Sequence, residues 1–563
     1  MEIRQGFLPF QNRRDFFTPE DFTNEEELML KTTESFVKNH VQPQMEAIEQ
    51  HQYSVAARLF KEAGDLGLLG VEVPEEYGGL SLSKKISGLI AEKMGHAGSF
   101  SVSFNIHAGV GTLPFIYFGT EKQKHKYLPK LASGRWIGAY ALTEPDAGSD
   151  ALNSKTRAIW DGEKGAWVLN GGKQWITNAH VADVYVVFAK THQGMTAFIV
   201  EKSLPGISVG PEEKKMGIKG SSTATLVLED VEIPSENVLG KVGNGHRIAL
   251  NILNMARLKL AFSNIGTAKQ ALQLAGDYAK ERLQFQSPLI EFTMIQEKIA
   301  DMAIAIYGAE SAAYRTADGL DQGMEGTAEV QDVSELIFTF AMECSINKVN
   351  CSEVLARVVD EAVQIHGGYG YMQEYEVERL YRDARISRIF EGTNEINRLT
   401  ISKLFMKHYQ NHKHREIENI ESNQGQNGKW MQASEQLLYL ALKALTESGV
   451  EIEQEQEYSR LLSDMVSDLY VMESAFLRSE KSGQRGRLSI THKGMTEVLC
   501  AERYRKIAEA VKTILSSVEA SEKKRKDWFN ALKGIEDPEF SGIFEKKRNI
   551  AKDVTGWDAA HAI

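Results

Sequence analysis

Residues 364–398 read QIHGGYGYMQEYEVERLYRDARISRIFEGTNEINR. A glycine-backed turn (Gly367, Gly368, Gly370) leads into an aromatic and arginine-rich segment, and one acid, Glu391, then stands between Phe390 and Gly392. Thr393 and Asn394 suit a helix N-cap, and Ile396, Leu399, Ile401 and Leu404 follow with helical spacing, so the pattern puts Glu391 on a loop just before a helix. A carboxylate there, beside an apolar wall and a glycine that admits a close backbone approach, can act as a general base. The position equally suits a solvated loop acid or a charge that complements the helix N-terminus.

Upstream, the run HRIALNILNMARLKLAFSNIGTAKQALQLAGDYAKERLQF (246–285) is apolar around most of its circumference in its first half, apart from Arg257 and Lys259. Such a helix is buried in a bundle, where an arginine needs an anionic or carbonyl partner. A snorkelling Arg257 at a bundle edge is the alternative. Helical pattern continues to about residue 360, with a polar break near Gly319 to Gly326. Downstream, HYQNHKHREIENIESNQGQNGKW (408–430) is poor in apolar residues and reads as a linker. Beyond it Leu462, Met465, Val466, Leu469, Met472 and Phe476 share one helical face, as do Ile507, Val511, Ile514 and Val518.

The texture differs between 136 and 240. WVLNG (167–171), VYVVFAK (184–190), TAFIVEK (196–202) and TATLVLEDVEI (223–233) are rich in β-branched and aromatic residues, and turn residues separate them. They lie too close together for crossover helices, so an antiparallel β-domain is expected. Residues 1–135 read as mostly helical, with a helix start near Thr23 and a loop over 67–82. The nearly uncharged stretch 99–119 reads as a buried helix wall in preference to a pocket lining. The expected organisation is therefore a helical domain (1–135), a β-domain (136–240), a second helical domain (241–407), a polar linker (408–430) and a C-terminal helical domain (431–563).

A chain of 563 residues is too long for a single core. The excess of 77 acidic over 65 basic side chains, a net charge of -12, argues against a nucleic-acid binder. Cys344, Cys351 and Cys500 have neither metal-ligand spacing nor an even count, so no metal site is expected and a reducing compartment is favoured. Without a signal-like N-terminus or a spanning apolar stretch, a soluble cytoplasmic protein is the expectation.

A second signal is YALTEPDAGSD (140–150), followed by QWITNA (174–179). Thr143, Gly148 and Ser149 lie in a loop whose NH groups and hydroxyls can bind phosphate or carbonyl oxygens, and Trp175 with Thr177 offers a flat ring beside a hydroxyl. An ordinary turn and an ordinary core tryptophan account for the same residues. There is no GxGxxG after a strand and no Walker motif, so a nucleotide cofactor would be held another way.

Together with these stretches, EVPEEYGGL (72–80), LTEPDAGSD (142–150), WITNA (175–179), DVEIPSENVLG (230–240), the R-x-QF segment at Arg282 to Phe285, QIHGGYGY (364–371) and IFEGTNEI (389–396) resemble, in order and spacing, the acyl-CoA dehydrogenase family of flavoenzymes. The resemblance implies a fold of helical, β and helical domains with FAD between them. It implies that Tyr140, Leu142, Thr143, Gly148, Ser149, Trp175 and Thr177 hold the flavin, and that Thr393 and Glu395 contact it near the base. Arg282, Phe285 and Gln296, with Gln364, Gly367 and Gly368, would touch the FAD of a neighbouring subunit, and Ser149, Arg257 and Gly392 would face substrate. Glu391 matches the family's catalytic base, taking the alpha proton of an acyl-CoA while the beta hydrogen passes to the flavin. A minority branch places its base just before the arginine that matches Arg257, and here Ala256 fills that position. Gln286 stands where the family often has glycine.

The part after 430 resembles the extra C-terminal domain of the very-long-chain branch, whose members are homodimers. Small and apolar residues from Ser101 to Ile106, at the position of the family's acyl-pocket floor, favour medium to long chains. The resemblance thus implies an FAD-dependent acyl-CoA dehydrogenase of fatty acid beta-oxidation, with electron-transfer flavoprotein as acceptor. An acyl-CoA oxidase or flavin monooxygenase on the same fold, and a non-catalytic assembly protein, are the alternatives. The linker lacks the apolar stripe of a membrane-binding segment, so peripheral membrane contact has little support.

Overall fold

In the computed structural model the described residues are 16–325, 330–411, 425–484, 487–535 and 538–557. The first helices are α1 (Asn24–Phe36), α2 (Met45–Glu49), α3 (Tyr53–Asp65), α4 (Lys84–Met94), α5 (Ser99–Ala108), α6 (Leu113–Phe118) and α7 (Glu121–Ala132). Thr23 caps α1 in a capping box with Glu26, as its sequence suggests. The 67–82 stretch forms the loop between α3 and α4, apart from one 3-10 turn at Glu75–Tyr77. The 99–119 stretch becomes α5 and α6, with Phe100, Phe104, Leu113 and Phe115 in the core.

A sheet follows: β1 (Gly138–Ala141), β2 (Arg157–Asp161), β3 (Ala166–Thr177), β4 (Val184–Thr191), β5 (Gly194–Glu201), β6 (Ile207–Val209), β7 (Thr223–Pro234) and β8 (Val238–Leu239). Its order is β6-β7-β3-β2-β4-β5-β8, with β1 also paired to β4. Most pairings are antiparallel, as expected, but β1 and one residue pair of β2 run parallel to β4. The β2–β3 hairpin is itself the connection between the parallel partners, so no crossover helix is needed.

Next come α8 (Gly245–Glu281), a small hairpin of β9 (Leu283–Gln284) and β10 (Ser287–Pro288), α9 (Thr293–Met324), α10 (Val330–Thr339), α11 (Ala341–His366), α12 (Glu376–Ala384) and α13 (Asn394–Asn411). α8 is buried over much of its length and packs against α4, α9 and α11. The break expected from Gly319 comes later, because Gly319 and Gly323 are helical. An added Cβ at these glycines would lie 2.7 Å from the Phe340 ring and 2.5 Å from Leu336, so their smallness admits a close neighbour rather than ending the helix.

The C-terminal helices are α14 (Gly425–Glu447), α15 (Gln456–Lys481), α16 (Arg487–Ser517), α17 (Glu522–Gly534) and α18 (Ile543–Thr555). All ten apolar residues singled out on α15, on α16 and, for Val518, just beyond its end are buried. The 408–430 segment is helical at both ends, where α13 runs to Asn411 and α14 begins at Gly425, and its remaining residues 412–424 lie outside the described residues. Its polar composition conceals two aromatic anchors: Tyr409 packs 6.2 Å from the Tyr439 ring, and buried Trp430 lies 5.0 Å from Tyr504.

The N-terminal segment of the described chain meets α15. Arg478 on α15 donates from Nε to Glu20 at 3.0 Å and pairs with Glu310 on α9 at 2.6 Å, while Lys481 pairs with Asp21 at 2.6 Å. The guanidinium and its partners are nearly excluded from solvent, and against the raising effect of burial the adjacent Lys269 and Arg478 cations hold the Glu310 carboxyl below its usual range.

Candidate active site

Glu391 stands where the 3-10 turn Arg385–Arg388 gives way to α13. Thr393 Oγ1 accepts from the Ile396 N–H and starts the helix, as the sequence suggests. Glu391 has φ +56 and Gly392 φ +79, two consecutive left-handed residues. For a glutamate that conformation is strained, and such strain persists only where surrounding contacts impose it. Those contacts converge on the carbonyls of the turn. Arg257 Nε donates to Glu391 O at 3.2 Å, Lys348 Nζ to Gly392 O at 2.7 Å, and Asn397 Nδ2 to Gly392 O at 2.8 Å and Thr393 O at 3.0 Å. Arg257 is buried and also donates to Asn254 Oδ1 at 2.8 Å, which settles its two sequence readings in favour of a buried arginine with a carbonyl partner.

The Glu391 Oε2 atom is buried and has no hydrogen-bond partner. Burial raises its carboxyl to about 7, against the lowering influence of Arg257 and Lys348. Burial lowers the Lys348 ammonium to about 7. The Tyr140 hydroxyl, likewise buried and unpartnered, is pushed well above its ordinary value by burial and then by the Glu391 charge. Ala256 offers no proton acceptor beside Arg257. The arrangement is a carboxyl able to take up a proton near neutral pH, buried at Oε2, with the backbone of its turn locked by three donors.

The 140–150 loop is pinned from beneath. Glu144 is buried and ion-paired with fully buried Lys173 at 2.6 Å, and it accepts from the Thr156 N–H at 3.1 Å. Lys173 also donates to the Leu142 carbonyl at 3.2 Å. Gly148 and Ser149 are left exposed at the loop tip. On β3 a register shift falls between Lys173 and Ile176, and Trp175 within it has φ +57 and is 56% exposed. The bulge turns the ring outward, so it is not a core tryptophan. Thr177 ends the same strand half-buried.

Arg282, Phe285, Gln296, Gln364, Gly367 and Gly368 gather elsewhere, around the β9–β10 hairpin, the start of α9 and the end of α11. The Arg282 guanidinium lies 5.4 Å from the Tyr369 ring. Phe285 is 89% exposed with φ +52, followed by Gln286 with φ +67. Gln296 is buried, donating from Nε2 to Ile290 O at 2.9 Å while its Oε1 has no partner. Gln364, Gly367 and Gly368 are exposed, and Glu395 projects from the first turn of α13.

Four family models match the chain: "Acyl-CoA dehydrogenase, N-terminal domain" over residues 23–135, "middle domain" over 139–231, and two described as "C-terminal domain" over 243–406 and 433–533. The chain belongs to the acyl-CoA dehydrogenase family. A "Probable acyl-CoA dehydrogenase" of Bacillus subtilis (strain 168) is 46% identical, over 96% of this chain and 95% of that protein. The mouse mitochondrial very long-chain specific acyl-CoA dehydrogenase is 42% identical over 60% of this chain and 51% of that protein. Among solved structures, an acyl-CoA dehydrogenase from Bacillus anthracis complexed with FAD superposes with a TM-score of 0.92 at 46% identity, covering 97% of each chain. Its fold and family are those expected from the motifs.

Sequence reasoning did not pick out Lys348, Asn397 or the Glu144–Lys173 pair. For Lys348 a signal exists: it is the one charged residue in CSINKVNCS (344–352), a position that buries a lysine if the helix is internal.

Proposed function

We propose that this member of the acyl-CoA dehydrogenase family catalyses FAD-dependent alpha,beta-dehydrogenation of fatty acyl-CoA thioesters to trans-2-enoyl-CoA, with Glu391 as the base. The observation that carries this reading is the enclosed, unpartnered Glu391 Oε2 on a left-handed residue locked by Arg257. A proton alpha to a thioester is weakly acidic, so its removal needs a base that is strong for a carboxylate and a polarised carbonyl. Burial supplies the first requirement, and the Glu391 N–H is suited to the second.

The residues fit FAD. The outward Trp175 ring offers an aromatic face, the Tyr140 hydroxyl is buried without a partner, and a Cβ added at Gly148, Gly367 or Gly368 would meet nothing within 4 Å, leaving open cradles for backbone approach. Tyr140, Leu142, Thr143, Gly148, Ser149, Trp175, Thr177, Thr393 and Glu395 would hold it from one side, with Ser149, Arg257 and Gly392 toward substrate. When bound, FAD would supply the acceptor for the beta hydrogen and its electron pair, and Glu391 would take the alpha proton. The exposed Phe285, Tyr371 and Met294 support a second copy covering that face, with Arg282, Gln296 and Gln364 reaching its cofactor.

The same proposal includes fatty acid beta-oxidation, an electron-transfer flavoprotein as acceptor and a cytoplasmic setting, which the buried free Cys344, Cys351 and Cys500 suit. Medium to long chains are favoured, because Ser101 and Ser103 on α5 are small, buried and uncharged. Anaerobic titration of the purified protein with acyl-CoAs of graded length, followed by flavin absorbance, tests this reading. Bleaching that strengthens with chain length supports it, and absence of bleaching with every acyl-CoA refutes it.

A further inference from the structure

The turn that carries Glu391 is tied to the C-terminal helices by an unbroken series of hydrogen bonds and ion pairs. Lys348 on α11 has no exposed surface, and its Nζ donates to two neutral oxygens, Gly392 O and Asn394 Oδ1, each at 2.7 Å. Asn394, also buried, donates from Nδ2 to Glu353 Oε1 at 3.1 Å and to Ser352 Oγ at 3.1 Å. Glu353 accepts from both terminal nitrogens of Arg398 on α13, at 2.8 Å and 3.1 Å. Arg398 Nε reaches Asp464 on α15 at 2.7 Å. The fork geometry of arginine fixes the direction of each bond as well as its strength.

We infer that Lys348 is a positioning residue for the base, and that Asp464 of α15 sets it through Arg398, Glu353 and Asn394, so that the C-terminal helices take part in orienting Glu391. The inference rests on the reading of Glu391 as the base. A lysine enclosed with only neutral oxygens on its Nζ is costly, and that cost is met here by fixing the carbonyl next to the strained glutamate. The groups that face Glu391 are Arg257 on α8, Lys348 on α11 and Tyr140 on β1. Those that face Lys348 are Glu391, Arg257, Glu395 on α13 and Glu353 on α11. Below about pH 7, where the Lys348 ammonium is charged, its removal leaves Glu391 with Arg257 as its sole facing cation and makes its carboxyl harder to ionise. Removing Asp464 takes away the partner that fixes the Arg398 Nε, so the Glu353 carboxylate that Arg398 and Asn394 share is less tightly held.

The test compares Lys348→Met, Asp464→Asn and the double variant with the wild-type holoenzyme. Lys403→Gln, which removes an exposed pair with Glu453 at 3.0 Å, serves as a control for surface charge on α13. Lys348→Met is expected to lower kcat about tenfold, leave KM within about twofold, and move the acid limb of the kcat profile up by about one pH unit. Asp464→Asn is expected to move the limb in the same direction by less, and the double variant to match Lys348→Met, since the two lie on one path. Lys403→Gln keeps the wild-type profile. A second readout, independent of turnover, is the pH at which the heat stabilisation given by Glu391→Gln levels off in each background, which should rise with the limb. A wild-type profile in folded, FAD-loaded Lys348→Met overturns the inference, as do effects of Lys348→Met and Asp464→Asn that simply multiply. If Glu391→Gln itself retains turnover, the base assignment fails instead, and the two failures are thereby distinguished.

Discussion

Arg257 holds Glu391 by its backbone and not by its carboxylate: Nε donates to the Glu391 carbonyl at 3.2 Å, and the carboxyl oxygen Oε2 is left buried and unpartnered. The cation thus orients the residue without neutralising it through a close ion pair. That separation of holding from charge pairing lets an enclosed carboxyl stay near neutrality in its proton affinity.

Glu391→Gln keeps the shape of the turn and removes the proton acceptor. It should retain FAD, because no FAD-facing group is altered, and lose at least about a thousandfold in turnover. Flavin absorbance at rest and on anaerobic addition of acyl-CoA reads both outcomes. Full loss of FAD would indicate that the glutamate holds the fold.

The carboxyl of Glu391, at about 7, must be ionised to accept a proton, so kcat/KM for the free enzyme should fall on going below about pH 7. The linked effect on stability has the opposite sense. A folded-state affinity for protons above the ordinary carboxylate value favours the fold at low pH, and that contribution is lost as pH rises through the folded value. Glu391→Gln should therefore stabilise the protein by up to about 3 kcal/mol at pH 8, with the gain vanishing toward pH 5. Melting temperatures across that range check the sign.

Arg257→Lys retains the charge but not the fork that spans Glu391 O and Asn254 Oδ1. A loss of about 10- to 100-fold in kcat, with FAD content unchanged, is expected from one displaced charge-assisted bond. Steady-state kinetics separates this from a binding defect: a rise in KM alone would mean that the arginine grips substrate and does not position the base.

Lys173→Met leaves Glu144 buried without its partner and should cost about 3–5 kcal/mol, with weakened FAD retention through the loosened 140–150 loop. The Lys173→Met/Glu144→Gln double variant should recover part of that loss. Chemical denaturation of the wild type, Lys173→Met, Glu144→Gln and the double variant gives the coupling, and strictly additive losses would show that the pair does not act as a unit.

Local chemistry made much of this molecule legible in its sequence. Thr23 and Glu26 announce α1, Thr393 starts α13, and the runs rich in β-branched and aromatic residues give the strands. Glu391 could be singled out for the same reason, since its glycine and N-cap neighbours lie beside it. Its left-handed backbone could not, because glutamate carries no local preference for that region and the contacts that impose it come from α8, α11 and α13. Lys348 shows the limit most plainly: its partners lie 44 and 46 residues away, and nothing within a helical turn specifies them. The parallel β1–β4 pair is similarly non-local, and the helical ends of 408–430 depend on Tyr409 and Trp430 finding aromatic partners on other helices.

The clasp between Glu20 and Arg478 joins residues 458 positions apart. Synthesis at 5–20 residues per second puts on the order of a minute between the appearance of the two ends. During that interval the segment at Pro19–Asp21 has no α15 to grip, although α1 and its neighbours are already made. Closing the clasp therefore waits for α15, and it tells a molecule that has reached α15 from one cut short before it.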